Sequence, residues 1–349
     1  MRSPARSLLI QAGITDPQLQ DAYLYCQRLN ACHGRTYYLA TRLLPAFKRP
    51  YVHALYGFAR YADEIVDNEP RATRAAHFNT WAGDALAQLQ DGRAHHHPVT
   101  RALQHTMNRW DIPIAHIEAF LASMRADLTV TRYRTFEDLN GYVYGSAAVI
   151  GLQMIPILGP LEPEAAHRAQ AMGEAFQLSN FLRDIAEDYD RDRIYLPQED
   201  LEHFKVSEAE LATTRVSRNL RELLRFEIDR NRRQYAYAVG GIALLAPSSR
   251  PCIETAFALY SGILEAIEEA DYQVLAGRVA VPLHTRLRVA VPAWRRARAS
   301  ASKLPEQTTS HREEPTLRAD PDPGPSAQKS PVAPLPRSES RRPRKRLVQ

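Results

Sequence analysis

The sequence lacks the long apolar run that a membrane span requires. No window of the 349 residues approaches the roughly 20 uninterrupted apolar residues of a transmembrane helix. The opening stretch, MRSPARSLLIQAGITD, also lacks the apolar core and small-residue cleavage site of a secretory signal. We therefore expect a cytoplasmic protein.

Cysteine is scarce as well. The chain has three cysteines, with no CxxC or Cys/His spacing. An odd number without such spacing supports neither a disulfide framework nor a zinc site. We interpret Cys26, Cys32 and Cys252 as reduced structural thiols.

Phe, Trp and Tyr are absent from residues 301–349, which are rich in Pro, Ser and charge. Such a segment cannot bury enough apolar surface to offset the entropy of ordering, so we predict a disordered tail after a domain spanning residues 1–300. The tail holds ten Lys and Arg against six Asp and Glu, most of the net charge of +5. Because the domain is almost neutral, nucleic-acid binding is not expected. The alternative is that the terminal RRPRKR attracts nucleic acid or anionic lipid.

The first 300 residues repeat apolar side chains mainly at intervals of three and four, and alternating strand-like runs are scarce. Examples are YVHALYGFARYADEIV and CIETAFALYSGILEAIEEADYQVL. Most prolines fall between such blocks, where they begin or end helices. The pattern predicts a single all-α domain of many helices.

One predicted helix carries a narrow polar stripe within an apolar surround. Tyr56, Arg60, Asp63 and Asp67 stand at i, i+4, i+7 and i+11, on one helical face. A surface helix shows the reverse proportion, with a polar majority. This helix is therefore predicted to be enclosed by protein, with its polar line facing a cavity.

A second helix, in FQLSNFLRDIAEDYDRDRIYLP, repeats the design. Its stripe consists of Gln177, Asn180, Asp184 and Asp188 at i, i+3, i+7 and i+11, within a largely apolar surround. The flanking arginines are Arg183, Arg191 and Arg193.

Four aspartates facing one cavity would need cations, because unpaired buried charge is costly. Oxygen ligands without His or Cys suit Mg²⁺, which prefers a few carboxylates plus substrate phosphate oxygens. The stripes therefore predict a magnesium site for a phosphate ester, with Arg and Asn side chains suited to a diphosphate. The alternative interpretation is a pair of solvated, salt-bridged helices, which is common for a lone DxxxD pair.

The segment GYVYGSAAVIGLQM, residues 141–154, is rich in small residues that would let a long apolar chain lie against the backbone. Close helix packing explains the same composition. Three tyrosines are candidates to face the cavity, where aromatic rings stabilise a carbocation, although core packing is the alternative for each. They are Tyr56, Tyr142 and Tyr260.

These motifs resemble the squalene/phytoene synthase family, and within it the bacterial phytoene synthases. The resemblance runs from about residue 31 to about residue 282 and rests on HGRTYYLATRLLP, ALYGFARYADEIVD, YVYGSAAVIGLQM and QLSNFLRDIAEDYDRDRIYLP. It implies an isoprenoid-synthase helical fold around a central cavity. It also implies Mg²⁺-dependent, head-to-head condensation of two geranylgeranyl diphosphates to phytoene through a cyclopropyl (prephytoene) diphosphate, in carotenoid biosynthesis. Mn²⁺ is the alternative ion.

The resemblance also implies residue roles. Metal binding falls to Asp63, Asp67, Asp184 and Asp188. The residues implied to bind substrate are Arg35, Arg60, Gln177, Asn180, Arg183, Arg191 and Arg193. The tyrosines implied to lie near the reacting carbons are Tyr56, Tyr142 and Tyr260. The chain departs from the family pattern at Gly34 and Arg35, which replace Ser-Lys, at Glu64, which replaces Asp, and at Asp192, which replaces Gly.

Other products and functions stay open at this point. Phytoene formation ends with loss of a proton, so NADPH is not expected. The alternative is a squalene, dehydrosqualene or hydroxysqualene-type synthase acting on farnesyl diphosphate. A non-catalytic scaffold on the same fold is a hypothesis of another class.

The prenyl chains of the substrates and the product are apolar, so we expect peripheral contact with the inner face of the membrane. We also expect a monomer. The late segment VAVPLHTRLRVAVPAWRRARA mixes apolar residues with arginines and is a candidate contact. The alternative for that segment is a helix packed on the domain.

Overall fold

The computed structural model describes residues 4–94 and 96–279, with Pro292 and Arg295, and these belong to one compact unit. In the described residues the chain forms helices and no strands, apart from two isolated bridges. The helices are α1 (Pro4–Gln11), α2 (Pro17–His33), α3 (Arg35–Thr41), α4 (Arg49–Asn68), α5 (Arg71–Gln90), α6 (Pro98–Trp110), α7 (Ile114–Ala126), α8 (Phe136–Val143), α9 (Val149–Leu158), α10 (Glu164–Asp190), α11 (Gln198–His203), α12 (Glu208–Leu211), α13 (Arg218–Ala238) and α14 (Arg250–Glu269). A π-helix (Tyr144–Ala148) joins α8 to α9, and a 3₁₀ helix (Val239–Leu244) follows α13.

Local sequence explains several helix starts. The Asp16 carboxylate accepts a hydrogen bond from the Leu19 amide at 2.6 Å, and Thr135 and Asp138 form a reciprocal capping box at α8. Proline stands in the first turn of α2, α4, α6 and α14, where its missing N–H is not needed. Pro156 is an exception, since it lies inside α9 near its end.

The long helix α10 is the centre of the fold. It packs against α9, α13, α14 and the π-helix, while α4 packs against α2 and α6. The all-α prediction is therefore confirmed. The predicted tail, residues 301–349, and nearly all of the late arginine-rich segment lie outside the described residues, and their predictions stay predictions.

Close helix packing explains part of the small-residue composition of the segment before α10. A Cβ at Gly173 would lie 2.5 Å from the Ala147 carbonyl oxygen, and one at Gly151 would lie 2.3 Å from that of Ala169. Phe136–Leu158 is long and apolar enough to cross a membrane, yet 56% of its most apolar window is buried within the fold. It serves here as a core element that lets α10 approach the chain closely.

Candidate active site

The α4 stripe is held by ion pairs. Arg60 donates to Asp63 Oδ2 at 2.5 Å and to Glu64, which also accepts from Asn68 Nδ2 at 2.8 Å. Glu64, one of the departures from the family pattern, is 7% exposed and is a buried partner of Arg60. The stripe therefore presents Asp63 and Asp67, one helical turn apart, with a guanidinium beside the first.

The α10 stripe is arranged in the same way. Arg183 donates to both oxygens of Asp184, at 2.8 and 2.6 Å. Arg278, which follows α14, pairs with the same carboxylate, with Nε 2.9 Å from Oδ1. One candidate metal ligand thus lies between two guanidinium groups.

The loop after α10 joins the two stripes. Arg193 Nη1 lies 2.6 Å from Asp67 Oδ1, and Arg191 Nη1 lies 2.8 Å from Asp67 Oδ2. These contacts place the end of the α10 stripe opposite the end of the α4 stripe. The two predicted stripes therefore face one site.

An apolar cavity of about 240 Å³ lies between the two helices. α4 contributes Leu55, Tyr56 and Ala59 to its wall, and α10 contributes Met172, Phe176 and Gln177. The small-residue segment supplies further wall, including Ile150 and Met154. That segment consequently packs against α10 and lines the cavity.

A more polar pocket of about 450 Å³ shares Tyr37 and Tyr56 with the apolar cavity. Its lining includes Asn180, Arg183, Tyr260 and Arg278. The site therefore has an apolar compartment and an arginine-bearing compartment that meet at two tyrosines.

Burial and neighbouring charge raise the pKa of two of the aspartates. Burial, followed by the nearby Asp184, raises the pKa of Asp188 to about 8. Burial and then Asp67 likewise raise the pKa of Asp63, although 39% of its side chain stays accessible. Carboxylates whose charge is this costly are stabilised by a cation, and oxygen-only donors fit a hard divalent ion. Among the described residues, no three acidic, His or Cys side chains converge as a metal cage.

The predicted tyrosines fall into two clusters. Tyr37 joins Tyr56 and Tyr260, with ring centroids 6.0 and 5.3 Å apart, and Tyr260 stacks on Phe176 at 4.4 Å. Gly34 makes room for this group, since a Cβ there would lie 2.5 Å from the Tyr56 ring. The Gly in place of the family's Ser therefore allows the ring of Tyr56 to lie against the backbone.

Tyr142 lies in the other cluster, stacked on Tyr195 with centroids 5.5 Å apart. Its hydroxyl donates to Asp127 Oδ2 at 2.7 Å, and that of Tyr195 donates to Oδ1 at 3.1 Å. Arg193 Nη2 donates to the Asp127 carbonyl at 3.2 Å. Asp127 consequently ties Tyr142 to the arginine that holds Asp67.

Comparison with known proteins agrees with this geometry. Residues 31–295 match the model of the family described as squalene/phytoene synthase. The chain belongs to this family. It is 37% identical to a phytoene synthase of Arthrospira platensis, over 80% of the chain and 94% of that protein. It is 36% identical to a 15-cis-phytoene synthase of Synechocystis sp., over 84% of the chain and 92% of that protein.

Solved structures of the squalene/phytoene synthase family share the fold. A dehydrosqualene synthase in complex with ligand superposes with a TM-score of 0.74 at 26% identity, covering 80% of this chain and 98% of that one. The squalene synthase HpnC from Alicyclobacillus acidocaldarius superposes with a TM-score of 0.69 at 26% identity. The match covers 75% of this chain and 98% of that one. The predicted family and its isoprenoid-synthase fold are confirmed. The family uses prenyl diphosphates and is typically dependent on a divalent metal.

Family resemblance pointed to some residues of the site and missed others. Arg35 is the first residue of α3, but its side chain lies outside the described part of the chain. Tyr37, Asp127, Tyr195 and Arg278 were not predicted. Tyr37 and Tyr195 stood inside the quoted motifs, whereas the sequence around Asp127 and Arg278 carries no spacing that marks them.

Proposed function

We propose that this chain is a phytoene synthase, a prenyltransferase that joins two geranylgeranyl diphosphates head to head in carotenoid biosynthesis. The observation that carries the proposal is the apolar cavity between two aspartate-bearing helices, in a chain whose relatives are named 15-cis-phytoene synthase. Those relatives are matched over 91–92% of their length.

In this proposal the four aspartates hold Mg²⁺, with Mn²⁺ as a substitute. When bound, the ion neutralises the diphosphate and makes it a better leaving group. Asp63 and Asp67 act from α4, and Asp184 and Asp188 act from α10. The raised pKa of Asp188, about 8, is expected to fall once a cation faces the carboxylate.

The arginines bind the diphosphates and oppose the negative charge that develops as the C–O bond breaks. Arg60, Arg183, Arg191 and Arg193 lie within hydrogen-bonding distance of the aspartates and so surround the same space. Gln177 and Asn180 add neutral polar groups from α10. We extend this role to Arg278, because it shares Asp184 with Arg183.

The carbon chemistry takes place in the apolar compartment. One substrate loses its diphosphate to form an allylic cation, and the double bond of the other attacks it. Loss of a proton, which the released diphosphate can accept, then gives a cyclopropyl diphosphate. A second ionisation rearranges that ring, and loss of a further proton, for which released diphosphate is the candidate acceptor, forms phytoene. Apolar walls exclude the water that would trap either cation.

Aromatic rings stabilise the cations without reacting with them. Burial raises the pKa of Tyr56 and of Tyr260, so both hydroxyls stay protonated at neutral pH. Phe176, stacked on Tyr260, adds a further ring to this wall. We place Tyr142 beside the metal-binding end, since its partner Asp127 is hydrogen-bonded to Arg193.

The experiment is product analysis of the full chain with Mg²⁺ and either geranylgeranyl or farnesyl diphosphate, with and without NADPH. We expect phytoene from geranylgeranyl diphosphate at a rate that NADPH does not change. Faster conversion of farnesyl diphosphate to squalene or a related product would contradict the proposed substrate. No diphosphate release from either substrate would leave the scaffold hypothesis.

An apolar product also requires an apolar destination. We propose that the enzyme contacts the membrane peripherally from the cytoplasm. Co-sedimentation of the full chain with phospholipid vesicles tests this, and a chain that stays in the supernatant at every lipid concentration would contradict it.

A further inference from the structure

A third pocket, of about 380 Å³, lies where α1, α2 and α3 meet the start of α4. In the described part of the chain it shares no lining residue with the two compartments of the active site. Leu8, Leu9 and Pro50 form an apolar part of its wall. The pocket is therefore separate from the active site and has one apolar wall.

The polar side of this pocket is positively charged. Among its eleven described lining residues are two arginines, Arg42 and Arg49, and none is acidic. The Arg42 guanidinium has no hydrogen bond or ion pair with the described residues, and that of Arg49 uses only Nε, which donates to the Leu44 carbonyl at 2.8 Å. Burial, followed by the charge of Arg42, lowers the pKa of Arg49, as expected for like charges brought together. Both guanidinium groups retain N–H donors for an anion.

His53 adds a further donor. The residue is 4% exposed and lines the pocket, and its ring stacks on Tyr38 with centroids 5.6 Å apart. Nδ1 accepts from Asn30 Nδ2 at 3.0 Å, so the proton of the neutral ring is on Nε2. Nε2 has no partner among the described residues. An uncompensated donor beside two guanidinium groups suits an acceptor-only ligand.

The start of helix α4 also favours an anion at this pocket. Arg49 is the first residue of the 20-residue helix α4. The start of a helix carries partial positive charge and free amide donors, which favour phosphate groups. Two guanidinium groups that retain N–H donors, one imidazole N–H and a helix start thus meet at one pocket with an apolar wall.

We propose that this pocket binds a small organic phosphate, with the phosphate group between Arg42, Arg49 and His53 and a short apolar substituent against Leu8 and Leu9. Because Asn30 lines the apolar cavity of the active site, the ligand is one hydrogen bond removed from that cavity. The proposal does not depend on which prenyl diphosphate the active site converts.

The test is calorimetric titration of the full chain in EDTA, with dimethylallyl diphosphate and with inorganic phosphate as probes. We expect saturable binding that Arg42→Glu and His53→Gln each weaken by about tenfold or more, since a charged hydrogen bond is replaced or lost. The matched control is Arg28→Glu, because Arg28 is exposed on α2 and does not line the pocket. It should leave the affinity unchanged.

Vesicles of phosphatidylglycerol distinguish a lipid headgroup from a free phosphate ester. Binding of dimethylallyl diphosphate that is lost in Arg42→Glu identifies a free ester, while vesicle binding alone with the same sensitivity identifies a headgroup; either result supports the phosphate site. Binding that Arg42→Glu and Arg28→Glu affect equally, or no binding of any probe, would overturn the proposal. Circular dichroism of each variant verifies the fold.

Discussion

Arg193 and Asp67, which lie 126 positions apart in the chain, form an ion pair of 2.6 Å. The Arg193 side chain is 7% exposed and that of Asp67 is 12% exposed, so the pair is largely removed from water. Arg193 also donates to the Asp127 carbonyl. One side chain therefore connects the first aspartate helix, the second aspartate motif and the cluster around Tyr142.

The first prediction concerns that arginine. Arg193→Lys should lower kcat/KM for geranylgeranyl diphosphate by about tenfold or more, because an ammonium group cannot reproduce the directed guanidinium bonds. Release of diphosphate measures the rate. Arg221→Lys is the matched control, since Arg221 pairs with Asp271 at an exposed position outside the compartments described above. Equal losses in both variants would argue against a role for the Arg193 geometry.

The second prediction separates two neighbouring tyrosines. Tyr142→Phe should lower the free energy of unfolding by about 1–3 kcal/mol, because it leaves one oxygen of buried Asp127 without its donor. Tyr133, whose ring centroid is 5.3 Å from that of Tyr142, has a buried hydroxyl without a partner in the described part of the chain. Tyr133→Phe should therefore leave stability unchanged or raise it. Urea denaturation compares them, and an equal cost for both would contradict the assigned hydrogen bonds.

The third prediction tests the approach of α10 to the π-helix. Gly173→Ala should destabilise the protein by about 1–3 kcal/mol, because the new Cβ meets backbone atoms that cannot rotate away. Gly141→Ala is the control: nothing lies within 4 Å of a Cβ at this helical position, so the change should stabilise by a few tenths to about 1 kcal/mol. Thermal unfolding of the two variants should shift in opposite directions, and shifts of the same sign would contradict the packing.

The fourth prediction concerns acid stability. Burial, followed by the charge of Arg49, lowers the pKa of His53 from 6.5 to about 4. Between these pH values mainly the unfolded chain binds the proton, so the free energy of unfolding should fall as pH falls, by up to about 3 kcal/mol from this group. His53→Gln should flatten that part of the profile. An identical pH slope in wild type and variant would show that His53 is not buried in its neutral form.

Helical periodicity was sufficient to predict the two stripes, because one element sets the spacing of Asp63 and Asp67, or of Asn180 and Asp184. It also predicted the all-α fold, since apolar repeats at three and four residues do not depend on tertiary contacts. The family resemblance then implied roles for these residues, which stay predictions. The spacing of each stripe could be predicted because each lies on a single continuous helix.

Other features depend on contacts between distant segments. Asp127 follows α7 with no motif around it, and its importance comes from Tyr142 and Tyr195, which reach it from two other elements. Arg278 reaches Asp184 across 94 positions. Helical spacing carries no information on such pairs. The neighbouring Arg60 and Arg183 stand beside their aspartates in the sequence, whereas Arg278 and the pairing of Arg193 with Asp67 required the structure.

The central claim is that α4 and α10 hold one magnesium–diphosphate site between them. Calorimetric titration with inorganic diphosphate in the presence of Mg²⁺ tests it in Asp67→Asn and Asp188→Asn, with exposed Asp84→Asn as the control. The account predicts that each of the first two variants, one on each helix, loses affinity by about tenfold or more, while the control binds like wild type. Unchanged binding in either Asp67→Asn or Asp188→Asn would contradict a site shared by the two helices.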